Sequence, residues 1–188
     1  MRRTIFLIAL VAALSACAHQ VDLTHQAPAT LGDEPPGLEQ AHVVRVVDGD
    51  TIVVEVTGRT EGPGAGTAPE GGEERVRLIG IDTPESVKPG SPVECFGREA
   101  SAAAKALLEG QDVQLVKDVE ERDAYDRLLR YVYIGREMAN ARLVANGYAA
   151  AYTYPPNVRH AGFFVDLERQ ARDRGLGLWS PDTCAGES

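Results

Sequence analysis

The 188-residue sequence predicts a small α+β domain in which five short strands close, or nearly close, into a β-barrel accompanied by three α-helices. Two β-branched runs flank an Asp-Gly turn, a strong hairpin signal. Three helical segments each stop at a glycine. Five short strands also leave edges to be hidden, and closure is the simplest way to hide them.

The first hairpin is His42–Val47 (HVVRVV), the turn Asp48-Gly49-Asp50, and Thr51–Val56 (TIVVEV). The stretch Gly58–Glu74 is rich in Gly, Pro and Glu and predicts a mobile loop. A third strand is expected over Arg75–Ile81. The alanine-rich Arg98–Glu109 predicts a helix that stops at Gly110. Strands follow at Asp112–Lys117 and Leu128–Ile134. A second helix is expected over Glu137–Asn146 before Gly147. A third is expected over Ala161–Arg174 before Gly175, with Phe163, Phe164 and Leu167 on one side. No internal repeat is visible.

The formal charge is −9, from 19 basic and 28 acidic residues. That balance is awkward for a protein meeting nucleic acid through electrostatics alone. Arg2 and Arg3 precede the apolar run Ile5–Leu14, too short to span a bilayer and shaped like a secretory signal. Leu14-Ser15-Ala16-Cys17 resembles a bacterial lipobox, which implies a signal peptide at residues 1–16 and acylation of Cys17. The alternative is an ordinary signal with a coincidental cysteine. Without Arg2 and Arg3 the 19 basic residues fall to 17 against 28 acidic, near −11. Residues 17–40 then form a lipidated, Pro/Gly-rich flexible linker. The expected location is the cell envelope, after secretion across the inner membrane. Ala18 follows Cys17 in place of the aspartate associated with inner-membrane retention, which favours the outer membrane. Cys95 and Cys184 remain as an even pair in an oxidising compartment, so a disulfide is expected; two free thiols are the alternative.

The chemistry-bearing stretch is RLIGIDTPE, Arg77–Glu85. Taken with the first turn and with Arg127, it supplies three carboxylates (Asp50, Asp82, Glu85) and two guanidinium groups. Carboxylate oxygens suit Ca²⁺ or Mg²⁺ better than zinc. Arginine forks suit a phosphodiester. Together these describe phosphodiester hydrolysis, with Glu85 accepting a proton from water and Arg77 and Arg127 stabilising charge on phosphorus. Each piece alone has a plainer reading. Asp-Gly-Asp is a turn, Arg77 an exposed strand cation, and Arg127 a partner for Asp123 or Asp126.

The spaced set VVDGDT, RLIGIDTPES, ECFGREAS, DAYDRLLRYVY, NARLVANGYAAAYTY and GLGLWS resembles the staphylococcal nuclease family from about Val43 to Ser180. The resemblance implies an OB-fold barrel over residues 41–181, a short tail at 182–188, and Ca²⁺-dependent cleavage of DNA and RNA to 3′-phosphate and 5′-hydroxyl ends. It implies that Asp50 and Asp82 are calcium carboxylates, that Thr83 gives a backbone carbonyl, and that Glu85 is the general base. Arg77 and Arg127 match the phosphate-binding arginines. Tyr125 matches a tyrosine near the terminal phosphate, and Tyr152 and Tyr154 match aromatic residues of the nucleotide pocket; packing is the plainer role for these rings. Pro156 falls where the family has a cis peptide bond. A monomer is expected.

Three departures weigh against tight substrate capture. Asp126 stands where the family commonly has glycine, and its carboxylate could compete with phosphate for Arg127. Ala124 replaces a familiar lysine, and the loop Ser86–Glu94 carries only Lys88. The rival reading is a catalytically weak OB-fold lipoprotein that binds nucleic acid or protein. A calcium-binding structural lipoprotein of the envelope is a third.

Overall fold

The computed structural model describes residues 21–25, 31–86 and 93–184. The expected signal peptide, Cys17 and Lys88 lie outside the described residues. Among those described, no helix is long and apolar enough to cross a membrane.

Five strands build the barrel: β1 (Leu38–Val46), β2 (Thr51–Thr60), β3 (Glu73–Leu78), β5 (Asp112–Val116) and β6 (Leu128–Ile134). They run in the order β3-β2-β1-β5-β6, antiparallel throughout, and β3 then pairs parallel with β6 to close the ring. In that closing pair Val76, Arg77 and Leu78 face Leu128, Leu129 and Arg130. The barrel foreseen from the strand pattern is therefore present, and its ring leaves neither β3 nor β6 as an edge. Buried Val43, Val54, Val76, Leu78, Leu115 and Leu128 belong to its core.

Three helices cover the barrel. α1 (Gly97–Leu108) buries Ala100, Ala103, Ala104, Leu107 and Leu108, a stripe of helical spacing whose small residues allow close approach to β1. α2 (Ala139–Ala145) packs on β6, and α3 (Ala161–Asp173) packs on α2 through Phe164 and Leu167. Two very short pairings complete the fold. β4 (Ile81–Asp82) pairs with β8 (Ala150–Ala151), and β7 (Glu137–Met138) pairs with β6. The second helix thus begins two residues later than expected. Gly135, at φ 60°, turns the chain back so that Glu137 and Met138 extend the sheet first.

Two expectations of mobility are corrected. Within Gly58–Glu74, β2 continues to Thr60 and β3 starts at Glu73, leaving a shorter connection that folds onto the barrel. Lys117 N donates to Gly64 O at 2.8 Å, Arg59 Nη2 to Ala68 O at 2.6 Å, and Ala68 is fully buried. The glycines serve close approach. A Cβ on Gly66 would fall 1.8 Å from Arg130 Nη2. The described part of the 17–40 segment is likewise packed. Leu31 N donates to Arg136 O, Leu38 already belongs to β1, and Asp22 N donates to Tyr148 Oη at 2.9 Å. Glu34, with its side chain only 2% exposed, accepts from His160, Arg159 and Tyr133. Burial raises the cost of its charge, but these donors hold its carboxyl below the ordinary value.

Cys95, just before α1, and Cys184, near the end of the described chain, form a disulfide across 89 residues. The Pro155-Pro156 peptide is cis.

Inside the barrel wall, Arg130 is fully buried and pairs with the equally buried Glu39 at 2.7 Å and with Glu121. Glu39 also accepts from Ala68 N at 3.1 Å, which fastens the Gly-rich connection to β1 and β6. Neutralising Glu39 leaves Arg130 with Glu121 as its remaining carboxylate in low dielectric. Glu39→Gln is expected to lower unfolding free energy by ~1–3 kcal/mol, read as a lower urea midpoint. A loss under about 1 kcal/mol would contradict this role for the pair.

Candidate functional site

The site begins at the turn between β1 and β2. Asp50 is 6% exposed, and its N–H donates to Asp48 Oδ1 at 3.2 Å, a local Asx contact that shapes the turn. Gly49 permits the next step: a Cβ there would lie 2.6 Å from Thr83 Oγ1, so any larger residue would displace the segment after β4. Both the N–H and the hydroxyl of Thr83 donate to Asp50 Oδ2 at 3.2 Å. Two segments more than thirty residues apart are joined through one carboxylate oxygen.

Arg77, near the end of β3, binds the same centre. Its Nη2 lies 3.1 Å from Asp50 Oδ2 and donates to Asp82 Oδ1 at 2.9 Å, while Nη1 donates to the carbonyls of Leu78 and Ile81. The chain doubles back under the guanidinium at Gly80, whose φ of 83° suits glycine. Arg127 sits immediately before β6. Its Nε donates to Asp123 Oδ2 at 2.7 Å and its Nη1 to Thr51 Oγ1 at 3.3 Å, and its guanidinium carbon lies 5.5 Å from the centre of the Tyr125 ring. Thr51 in turn donates to Asp50 Oδ1 at 3.1 Å. The two arginines are therefore linked by a short polar chain through Thr51 and Asp50.

A pocket of about 330 Å³ opens beside them, and its walls include Arg77, Asp82, Tyr125, Arg127, Tyr152 and Tyr154. The rings of Tyr152 and Tyr154 are near-parallel, 6.4 Å apart, and half exposed; Tyr125 is 78% exposed. Exposed aromatic rings around arginines offer stacking surface beside an anion site.

Glu85 is placed differently. It is not part of the pocket wall, its N–H donates to Glu94 Oε2 at 2.8 Å, and its carbonyl accepts from Glu94 N. Among the described residues no three His, Cys, Asp or Glu side chains converge on one metal-sized point. The sequence groups Asp50, Asp82 and Glu85 as one set; the structure joins Asp50 to Asp82 through Arg77, and the Glu85 charge reaches Asp82.

The charges are only partly balanced. Burial, and after it the neighbouring Asp50 charge, push the Asp48 carboxyl up to about 6. Burial raises Asp82 as well; Arg77 opposes this, while Glu94, Asp48 and Glu85 reinforce it. A donor set of hard oxygens with more negative charge than one guanidinium offsets fits a divalent cation such as Ca²⁺. Asp48 and Glu94 belong to this field although the sequence reading assigned them no role. The Asp-Gly-Asp turn was the available signal for Asp48.

The contest for Arg127 also differs from expectation. Asp126 takes the left-handed conformation at φ 63°, which points its carboxylate toward Arg122 Nε at 3.5 Å. Asp123 is the residue that occupies Arg127. It also accepts from Arg127 N and Tyr125 N at 3.0 and 2.9 Å, so it shapes the loop as well as the side chain.

A closed OB-type barrel with an arginine-lined, aromatic-rimmed pocket at one end defines a class of small α+β proteins suited to a phosphate-bearing ligand. Within that class, the staphylococcal nuclease homologue profile matches residues 75–181. The chain is 41% identical over 137 residues to a thermonuclease of Staphylococcus intermedius, covering 73% of this chain and 74% of that protein. It is 37% identical over 175 residues to a thermonuclease of Staphylococcus hyicus, covering 93% and 95%. It is also 37% identical over 138 residues to the SPbeta prophage-derived endonuclease YokF of Bacillus subtilis (strain 168), covering 72% of this chain and 42% of that one. This chain belongs to the staphylococcal nuclease homologue family.

Burial raises the Asp123 carboxyl, but hydrogen bonds from Arg127 and Tyr125, and the Arg127 charge, bring it below its ordinary value of 3.8. A depressed carboxylate stabilises the fold above its unfolded pKa and loses that contribution as pH falls through the folded one. Asp123→Asn is expected to cost about 1–2 kcal/mol near neutral pH, with the gap to wild type closing as pH drops below about 4. Denaturant melts across pH check this; a gap that widens in acid would contradict it.

Proposed function

We propose that this protein is a nuclease that hydrolyses phosphodiester bonds of DNA and RNA with Ca²⁺, leaving 3′-phosphate and 5′-hydroxyl ends. The carrying observation is that Arg77 and Arg127, fifty positions apart in sequence, share one pocket and one polar chain through Thr51 and Asp50. Thermonucleases and an endonuclease among its relatives support the same class of reaction.

Asp50 and Asp82 would hold the cation, with the Thr83 backbone beside them. Bound there, Ca²⁺ supplies electrophilic stabilisation to a phosphoryl oxygen. Arg77 Nη2 is now shared between two carboxylates and becomes available to phosphate once their charge is balanced otherwise. Arg127 offers the second fork, and the two guanidiniums stabilise negative charge that grows on the phosphoryl oxygens. Glu85 takes a proton from water as the water oxygen bonds to phosphorus, the P–O5′ bond breaks, and the departing oxygen takes up a proton from solvent to become the 5′-hydroxyl. Tyr125, Tyr152 and Tyr154 would stack on bases or sugars with little regard to base identity.

The same reading places the protein at the cell envelope, held as a monomer by a lipid on Cys17, with the outer membrane preferred. Weak extracellular calcium sites, on the order of 10⁻⁴ to 10⁻³ M, suffice in such a compartment.

A digest of single-stranded DNA by the pure protein, with calcium or with EGTA, tests the activity. Cleavage is expected only with calcium; binding without turnover, equally tight in EDTA, would favour a binding module instead. Glu85→Gln should lower kcat by about 10²-fold or more with an unchanged melting curve. Arg77→Lys should fall similarly, because an ammonium cannot reproduce the planar fork. Near-wild-type rates in either variant would contradict the assigned roles.

A further inference from the structure

We propose that Arg122, braced by Glu74, is a positioning residue that aims Arg127 at the pocket; the role rests on the nuclease reading of that pocket. Arg122 and Glu74 meet as two planar forks, Nη1 to Oε2 and Nη2 to Oε1, both at 2.9 Å. Such a bidentate pair fixes orientation as well as distance. Arg122 Nη1 also donates to the carbonyl of Asp126 at 2.9 Å. Asp126 is the left-handed residue at φ 63°, and the next residue is Arg127. The guanidinium therefore grips the peptide from which Arg127 departs.

The surrounding loop explains why this grip matters. Arg122 bridges antiparallel to Leu128, and Asp123 N donates to Arg127 O at 3.0 Å, so residues 122–128 form a closed loop that presents Tyr125 and Arg127. Asp123 fixes the Arg127 head from inside the loop. Arg122 fixes the whole loop from outside, and its anchor is on β3, three residues before Arg77. One rigid strand thus carries Arg77 directly and holds Arg127 through the Glu74–Arg122 brace.

The pair contributes to folding as well, since its side chains are only 28% and 13% exposed and its forks are bidentate. A positioning role is marked by a rate that falls further than stability does. A displacement of about 1 Å in a group that contacts the reacting phosphate can cost about 10²-fold in rate.

The test compares the full-length protein with Arg122→Lys and with the charge reversal Glu74→Arg/Arg122→Glu on single-stranded DNA in calcium. Lysine keeps the charge but cannot grip Glu74 as a fork and the Asp126 carbonyl together. It should lower kcat about tenfold or more while KM changes less than about threefold and the melting temperature shifts little. The reversal restores an ion pair but presents an acceptor to the Asp126 carbonyl, so melting stays near that of the wild type while kcat stays low. Wild-type kcat in the reversal would show a merely structural bridge and overturn the role. Unchanged kcat in Arg122→Lys, with active wild type, would overturn it too. Absence of any wild-type cleavage would overturn the nuclease reading and this role with it.

Discussion

The parallel pairing of β3 with β6 is the contact on which the pocket depends. In an open sheet these strands would be the two edges, and Arg77 and Arg127 would stand a barrel circumference apart. Closure sets Arg77 opposite Leu129, two residues beyond Arg127. The β2–β3 register puts Thr51 across from Arg77 on β2, where its hydroxyl accepts from Arg127 and donates to Asp50. The closing pair, together with the β2–β3 pair beside it, therefore brings together the two guanidiniums, the threonine between them and the buried aspartate. It also hides the polar backbone of both strands, so the site and the fold share one source of order.

The pocket is electrostatically unsettled. Arg77 serves Asp50 and Asp82 at once, Asp48 is pushed up to about 6, and Asp82 is raised despite its arginine. Arg127 spends one edge of its fork on Asp123. Both arginines are thus engaged with carboxylates, which stabilises their geometry; under the proposed function their exchange to phosphate is conditional on a balancing cation. Long-range attraction adds little, since the chain as a whole carries −9. Under the proposed function, substrate capture at such a surface rests on the local site and its aromatic rim rather than on a basic field.

The strands and helices were legible because local pattern and tertiary need agreed. The β-branched run at Thr51–Val56 and the largely apolar and aromatic run at Leu128–Ile134 lie in the barrel, and Gly110, Gly147 and Gly175 follow the three helices at positive φ. What escaped the sequence depends on contacts between distant segments. The glycines near Gly66 suggested mobility, whereas they let a loop lie against Arg130, a buried charge concealed within an apolar run. Glu34 looks like linker in the sequence, but His160, Arg159 and Tyr133, 99 to 126 positions away, give its carboxylate a home. For the site, the pairing of Asp50 with Asp82 was readable from their type, but the direction of Asp126 was not. One left-handed residue turned its carboxylate from Arg127 to Arg122 and left Asp123 in its place.

The central claim is that one pocket couples a cation at Asp50 and Asp82 to a phosphate at Arg77 and Arg127. Calorimetric titration of Ca²⁺ into the protein, with and without a nucleoside 3′,5′-bisphosphate, tests that coupling directly. The account predicts that each ligand tightens the other, by the same factor in either order of addition. Calcium affinity indifferent to the bisphosphate would contradict it.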